Sequence, residues 1–151
     1  MINKFLGDGF MPLFGVGSGA ERNQAQAAFS AGREILTAVV NLNQRFRAEG
    51  RLPVAAGIGI HSGSAIIGSI GSPERLEFTA IGASVNLASR LQALTKKLNT
   101  PFVTSAATYR ELEEKGLLTG LLPQEARGVN HPVEVYGLQG DSLIAWESRS
   151  S

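Results

Sequence analysis

Residues 77–90 read EFTAIGASVNLASR, and this stretch decides how the rest of the chain is interpreted. Asn86 and Arg90 stand four residues apart at the start of a predicted helix, so their side chains point along one face. Thr79 precedes Asn86 by seven residues, in the segment that leads into the helix. A hydroxyl, an amide and a guanidinium arranged in this way suit a base, a ribose and a phosphate. An ordinary solvated helix face would show the same spacing, so both interpretations stay open at this point.

The predicted helix runs from about Ser84 to Leu98, because its apolar residues repeat at helical spacing. The residues expected to face the core are Val85, Ala88, Leu91, Leu94 and Leu98. Asn86 and Arg90 fall off this apolar stripe, as a pair of residues that face a site must.

A second polar run lies upstream, where residues 4–15 read KFLGDGFMPLFG. Other runs follow in order: GIGIHSG at 57–63, GSIG at 68–71, and an RG pair at 127–128 followed by PVEVY at 132–136. Together with residues 77–90, they resemble the class III nucleotidyl cyclases, which convert ATP or GTP to the cyclic 3′,5′-monophosphate. The resemblance is specific because the runs keep the family's order and gaps over nearly the whole chain.

The resemblance implies an α+β domain with the ferredoxin-like nucleotidyl cyclase fold. Strands and helices also mix without regular alternation, which favours the same class. The family's domain opens with a run of the type FxDIxGFT, which carries the first metal-binding Asp and the amides that hold the phosphates. No such run precedes Lys4. We therefore expect a partial cyclase domain over residues 1–140 that lacks the first strand and its adjoining helices, and a tail over residues 141–151.

Local patterns predict the other elements. Gly7-Asp8-Gly9 marks a hairpin turn between two short strands, and Gly57 and Gly59 predict the close approach of another backbone to their strand. A long helix is expected over Asn23–Glu49, with a core-facing stripe of Ala28, Ala31, Ile35, Val39, Leu42 and Phe46. The predicted strands are Ile2–Leu6, Phe10–Phe14, Val54–His61, Ser64–Ile70, Phe102–Thr104, Leu117–Arg127 and Val133–Leu138, with a tight turn at Ser62-Gly63 and a helix from a Ser105 cap to Lys115. His61 is expected to end its strand with a hydrogen-bonded ring; a catalytic base is the alternative.

The resemblance also assigns roles to side chains of the first polar run. Asp8 matches the family's second metal-binding Asp, so it would hold Mg²⁺ or Mn²⁺, of which the intact domain uses two ions. By its local sequence alone, Asp8 would be an ordinary turn residue. Lys4 and Thr79 match the base-recognition pair, in which an ammonium donates to N1 of adenine and a hydroxyl accepts from the exocyclic amine. Guanylyl enzymes place an acidic residue where Lys4 stands, so the pair implies ATP.

Asn86 would orient the ribose, and Arg90 would stabilise the charge that grows on the α-phosphate in the transition state. In this family the metal-binding residues and these residues come from opposite subunits. The resemblance therefore implies a homodimer, or a heterodimer of cyclases, with sites at the interface. Two positions depart from the family pattern. Ala83 replaces a common Asp, and Val129 stands where some members place a phosphate-binding Lys, which leaves Arg127 as the nearest cation.

Composition limits other functions. The 151 residues carry 14 basic and 13 acidic side chains, with a net charge of +1 and no basic run, so we expect no nucleic-acid partner. The lack of Cys excludes disulfides and thiolate metal sites, and it fits a reducing, cytoplasmic location. No apolar run of about 18 residues occurs, so we expect this segment to make no membrane contact, whereas a longer parent protein could be membrane-anchored.

Two functions follow from these patterns. The first is an adenylate cyclase catalytic domain that converts ATP to 3′,5′-cyclic AMP and pyrophosphate in intracellular signalling, by two-metal catalysis at a dimer interface. The alternative is a catalytically inactive cyclase-like module that binds and regulates a partner cyclase. Retention of all the matched site residues favours the first. The absent first Asp favours the second, and we expect the chain alone to make no measurable cyclic AMP.

Overall fold

The computed structural model describes residues 2–16, 23–72, 75–125 and 131–138. The elements in chain order are β1 (Ile2–Leu6), β2 (Gly9–Pro12), α1 (Gln24–Ala48), β3 (Ile58–Ile60), β4 (Ile66–Ser72), β5 (Arg75–Ile81), α2 (Ala83–Lys97), β6 (Phe102–Ser105), α3 (Ala106–Glu111), β7 (Thr119–Gly120) and β8 (Val135–Gly137). Strands and helices mix without alternation, which confirms the predicted α+β class.

The core is built on a four-stranded sheet with the order β3-β6-β8-β7. Strand β3 runs parallel to β6, and the other pairs are antiparallel. All four residues of β6 are buried, because successive side chains point to opposite faces and both faces are covered. Phe102 belongs to a cluster with residues of α1, whereas Val103 belongs to a cluster with Leu91 of α2. The two long helices therefore pack on opposite faces of one sheet.

Helix α1 lies where it was predicted, but the prediction of its core-facing stripe was wrong except at Ala28. The buried residues are Ala25, Ala28, Phe29, Gly32 and Leu36, and the other predicted residues are only half-buried. The reason is close packing: a Cβ at residue 32 would lie 2.8 Å from Cε2 of Phe102. Gly32 lets the helix approach the sheet, so the residues on its side, including Phe29 and Leu36, are buried instead of the predicted stripe.

The predicted hairpin between Val54–His61 and Ser64–Ile70 was wrong. Strand β3 pairs with β6 instead, and β4 pairs with β5, which was not predicted as a strand. Strand β3 is also shorter than its predicted range of Val54–His61. At Val54, the side-chain amide of Asn43 forms the hydrogen bonds that a neighbouring strand would form. It donates to the Val54 carbonyl and accepts from the Val54 N–H, both at 2.8 Å.

Two glycines of this region behave as predicted. Gly59 of β3 faces α2, where a Cβ would lie 2.6 Å from the carbonyl oxygen of Ala88, and Gly57 faces the side chains of Thr95 and Gln92. Ile58 and Ile60 pack on the opposite cluster. The short strand β3 is therefore held directly against the backbone of α2.

The C-terminal elements are shorter than predicted. Ser105 caps α3 as expected, its Oγ accepting from the N–H of Thr108 at 3.4 Å. The helix ends at Glu111 because Leu112 is extended, with φ −71° and ψ 137°. The long strand predicted over Leu117–Arg127 reduces, in the described residues, to β7 and an isolated bridge between Gln124 and Val133.

The hairpins β1–β2 and β4–β5 are two-stranded sheets separate from the core sheet. They carry exposed apolar side chains, between 37% and 76% accessible, which we call the hairpin surface: Phe5, Phe10, Ile66, Ile67, Ile70, Leu76, Phe78 and Ile81. No helix in the described ranges is both long enough and apolar enough to cross a membrane.

Candidate functional site

The junction between β5 and α2 fixes the predicted site residues relative to one another. Strand β5 ends at Ile81, and Gly82 turns the chain into the helix with φ +142°, a backbone conformation that suits glycine. The first turn is tied to a neighbouring loop, since Ser84 Oγ donates to the Ser64 carbonyl at 2.8 Å. Thr79 and the helix residues therefore belong to one rigid strand–turn–helix unit.

Strand β1 lies beside β5 and brings Lys4 to this unit. Nζ of Lys4 is 3.7 Å from a carboxylate oxygen of Glu77. Glu77 and Thr79 are two residues apart on β5, so they share one face of the strand and are about 7 Å apart. Thr79 is buried, with 5% of its surface exposed. Lys4 therefore contacts Glu77, which lies on the same face of β5 as Thr79, the other residue predicted to recognise a base.

Glu77 is a candidate site residue that sequence reasoning missed. It was missed because residues 75–81 were not recognised as a strand, and only strand periodicity places Glu77 on the face of Thr79. The ion pair with Lys4 is largely solvated, with side chains 30% and 59% exposed, so it contributes at most about 1 kcal/mol to stability. Its effect is to orient the ammonium of Lys4.

Asn86 and Arg90 lie on one side of α2, as predicted. Leu91 is fully buried, and Leu87, Leu94 and Leu98 pack around it. Asn86 is exposed and Arg90 is half-buried. Within the described residues, Arg90 takes part in no ion pair. Its charge is therefore available to an anionic ligand.

Asp8 occupies the tip of the β1–β2 hairpin, where Leu6 pairs with Gly9 across a two-residue turn. Gly7 has φ +64°, and glycine at the first central position is typical of a type II′ turn. Asp8 is exposed and lies in the turn beyond Leu6, the last residue of β1, whereas Lys4 is in the middle of that strand. The structure therefore does not bring Asp8 to the cluster around Lys4.

A complete metal site is not assembled in the described part of the chain, where no three His, Cys, Asp or Glu side chains come together. Asp8 fits as one hard oxygen ligand of a divalent cation, which takes six or more such ligands. The remaining ligands would have to come from another copy, from other residues or from the phosphates of a substrate.

His61 carries the hydrogen-bonded ring that its sequence position predicted. Its Nδ1 lies 2.8 Å from Oγ of Ser105, and burial lowers the pKa of the imidazole below its ordinary value.

The other positions named in the sequence analysis include three that lie outside the described residues: Arg127, Val129 and the predicted tail at 141–151. Ala83 is the exposed first residue of α2.

Comparisons with known proteins identify the family of the chain. A family model described as the adenylate and guanylate cyclase catalytic domain matches residues 3–140. Adenylate cyclase 1 of Rhizobium meliloti is 29% identical over 139 residues, which cover 92% of this chain and 21% of that protein. An adenylate cyclase of Anabaena cylindrica is 30% identical over 118 residues, 74% of this chain and 22% of that protein. The chain thus spans about a fifth of the length of these curated relatives.

Solved structures give the same fold. The adenylyl cyclase CyaB from P. aeruginosa superposes with a TM-score of 0.77 at 28% identity, over 92% of this chain and 71% of that one. The guanylyl cyclase Cya2 superposes with a TM-score of 0.75 at 29% identity, over 93% of this chain and 70% of that one. The described strands and helices are therefore those of a nucleotidyl cyclase fold, as the sequence predicted.

Proposed function

We propose that this chain, which belongs to the family of adenylate and guanylate cyclase catalytic domains, is adenylyl-specific and forms 3′,5′-cyclic AMP and pyrophosphate from ATP. The single observation that carries the proposal is the placement of Lys4 beside Glu77, on the face of β5 that also holds Thr79. This arrangement offers a nucleotide base one ammonium donor and one hydroxyl within a short distance.

The donor pattern selects adenine over guanine. Lys4 can only donate hydrogen bonds, and it would donate to the N1 acceptor of adenine, while the Thr79 hydroxyl accepts from the exocyclic amine. Guanine presents an N–H at N1 and a carbonyl oxygen at C6. The N–H at N1 would face the Lys4 ammonium, which cannot accept a hydrogen bond. An unpaired polar group in a closed site costs enough to discriminate strongly between the two bases.

The residues of α2 would act on the sugar and phosphates. Asn86 is placed to orient the ribose, so that its 3′-oxygen faces the α-phosphorus of the same nucleotide. The half-buried guanidinium of Arg90 would stabilise the negative charge that develops there as pyrophosphate leaves. Cyclases of this family generally use divalent metal ions, and Mg²⁺ or Mn²⁺ would lower the pKa of the 3′-hydroxyl and neutralise charge on the phosphates. Asp8 would contribute one ligand to such an ion.

A second copy of the chain would complete the site. Asp8 lies at the far tip of its hairpin, and a two-stranded hairpin is only marginally stable in water without further packing. The hairpin surface offers that packing area, because exposed apolar patches mark sites of protein association. We assign the hairpin surface to a two-fold dimer in which Asp8 of one copy serves the Arg90 of the other.

One observation favours a second candidate function. The described residues bring together no three side chains that could hold a metal ion, which also fits a non-catalytic module that binds a nucleotide or a partner cyclase. The two functions differ in turnover, because only the first forms cyclic AMP. Turnover is best measured in a chimaera that supplies the part of the CyaB domain with no counterpart in this chain.

The base-recognition proposal is tested by Lys4→Glu in this chimaera. We expect the kcat/KM for ATP to fall on the order of 100-fold, because a carboxylate then faces the N1 acceptor of adenine. The matched control is Lys96→Glu, which makes the same charge change at an exposed position near the end of α2 and should leave the ratio of ATP to GTP use unchanged. Equal ATP use by both variants would show that Lys4 is only a solvated strand residue.

A further inference from the structure

His61 and its neighbours form a compact polar cluster that the proposed reaction does not use. The ring lies at the end of β3, with Nδ1 at 2.8 Å from Oγ of Ser105. Ser105 is itself 2% exposed, and its Oγ accepts the capping hydrogen bond from the N–H of Thr108. Since that bond uses the Ser105 oxygen as an acceptor, its single proton is free to donate to Nδ1 of neutral His61.

The other edge of the ring touches the loop that holds α2. A Cβ at residue 63 would lie 2.9 Å from Nε2 of His61 and 3.2 Å from Cβ of Ser84, so both side chains pack against Gly63, where only glycine leaves room for them. Ser84 in turn donates to the carbonyl of Ser64 at 2.8 Å. The ring thus stands between the buried end of β6 and the first turn of α2.

We infer that His61 is a positioning residue: in its neutral form it holds the loop of residues 62–64 against Ser84 and thereby fixes the first turn of α2. The importance of this link for catalysis rests on the proposed function of Asn86 and Arg90, which lie within two turns of that end of the helix. The positioning itself rests only on the contacts of His61, Ser105 and Ser84.

Protonation should weaken this link. An imidazolium has a donor at Nδ1, so Ser105 Oγ would have to accept from it and turn its own proton toward Thr108 Oγ1, which is farther away at 3.4 Å. The charge would also lack compensation. The charged residues of the elements packed around the ring are Arg90, Lys96 and Lys97 of α2, Arg110 and Glu111 of α3, and Glu134 before β8. Glu134 pairs with Arg110 at 3.8 Å, and no ion pair joins His61 to a carboxylate in the described ranges.

The sign of the pH effect follows from the burial of the ring. Burial lowers the pKa of His61 in the folded protein, so the unfolded chain binds more protons at low pH. The contribution of neutral His61 to stability is therefore complete above the unfolded pKa of about 6.5 and is lost as pH falls through the lower, folded pKa.

Amide hydrogen exchange of this chain, followed by NMR without nucleotide, tests the inference. The reporters are the amides of residues 86–90, beginning with Asn86, whose N–H bonds the carbonyl of Gly82 at 3.2 Å. Between pH 7.5 and 4.5, we expect their protection factors to fall about fivefold to tenfold, the factor for loss of one net hydrogen bond. The midpoint should coincide with the titration of the His61 ring.

Three variants separate positioning from general instability. His61→Asn keeps a hydrogen-bonding group at the place of Nδ1 but cannot titrate, so it should keep the protection at pH 7.5 and lose the pH step. His61→Ala should lose protection at every pH. The control His131→Asn removes the other histidine, which is exposed, and should titrate like the parent chain. The inference is wrong if the protection factors of His61→Asn still fall between pH 7.5 and 4.5. It is also wrong if the His61 ring of the parent chain titrates while the protection of the α2 amides stays unchanged. These results do not depend on cyclase activity. Failure of the proposed function would therefore leave them unchanged, and failure of this inference would leave the proposed function unchanged.

Discussion

Strands β6 and β4 are both rich in apolar residues, yet they are used in opposite ways. All four residues of β6 are buried between two helices, whereas six of the seven residues of β4 are exposed and the other is half-buried. Strand β8 of the core sheet is also mostly buried, whereas β4 and β5 carry most of the hairpin surface. Burial at β6 and β8 stabilises the domain, and the exposed hairpins are the parts that we propose to recognise a nucleotide and a second copy.

The largest expected effect tests the core side of this comparison. Leu91→Ala removes a side chain with no exposed surface, so we expect the free energy of unfolding to fall by about 2–5 kcal/mol. Phe78→Ala removes a larger side chain that is 49% exposed, and it should cost less than about 1 kcal/mol in the monomer. Urea unfolding at a protein concentration too low for association measures both. Equal losses of the free energy of unfolding would mean that the hairpins stabilise the domain as much as the core sheet does.

The dimer proposal gives Phe78→Ala a second, intermediate effect. If a second copy covers the hairpin surface, this variant should weaken self-association by about tenfold, because buried aromatic side chains are frequent anchors of interfaces. Analytical ultracentrifugation measures the change. The control is Leu122→Ala, since Leu122 is 82% exposed but lies outside both hairpins. A weaker dimer in the control and an unchanged dimer in Phe78→Ala would place the interface elsewhere.

The smallest effect concerns the residue that orients Lys4. Glu77→Gln keeps a hydrogen-bond acceptor but removes the charge, so the ratio of kcat/KM for ATP to that for GTP should fall by up to about fivefold, the value of a partly exposed ion pair. Glu134→Gln is the matched control, because Glu134 forms a similar exposed pair with Arg110. If both variants leave the ratio unchanged, Glu77 does not act on base choice.

The features that could be predicted from the sequence are those with a local cause. The helical spacing correctly separated the buried Leu91 from the exposed Asn86 and the half-buried Arg90, whereas the binding roles of Asn86 and Arg90 stay a prediction. The Ser105 cap and the Gly7-Asp8 turn were also correct, because each depends on a few neighbouring residues.

The errors have non-local causes. The turn signal at Ser62-Gly63 suggested that β3 pairs with the next strand, but β3 finds its partner in β6, more than forty residues later. Gly63 instead provides room for the side chains of His61 and Ser84, which both pack against it. Glu77 was missed for the same reason, because its position depends on the pairing of β5 with β4 and on the approach of β1. No local pattern contains these contacts.

We have proposed that residues from two copies of the chain form one catalytic site. Mixing two inactive variants is the direct test of this proposal. In the chimaera, Asp8→Ala should be inactive through loss of a metal ligand. Arg90→Ala should lower kcat on the order of 100-fold to 1,000-fold with little change in KM, because its charge matters most in the transition state.

In an equal mixture that exchanges subunits freely, half of the dimers are mixed, and each mixed dimer holds one doubly altered site and one intact site. The proposed two-fold dimer therefore predicts recovery of about one quarter of the parent's cyclic AMP formation. Absence of recovery, despite subunit exchange shown by fluorescence transfer between labelled chains, would contradict it and place the whole site within one chain.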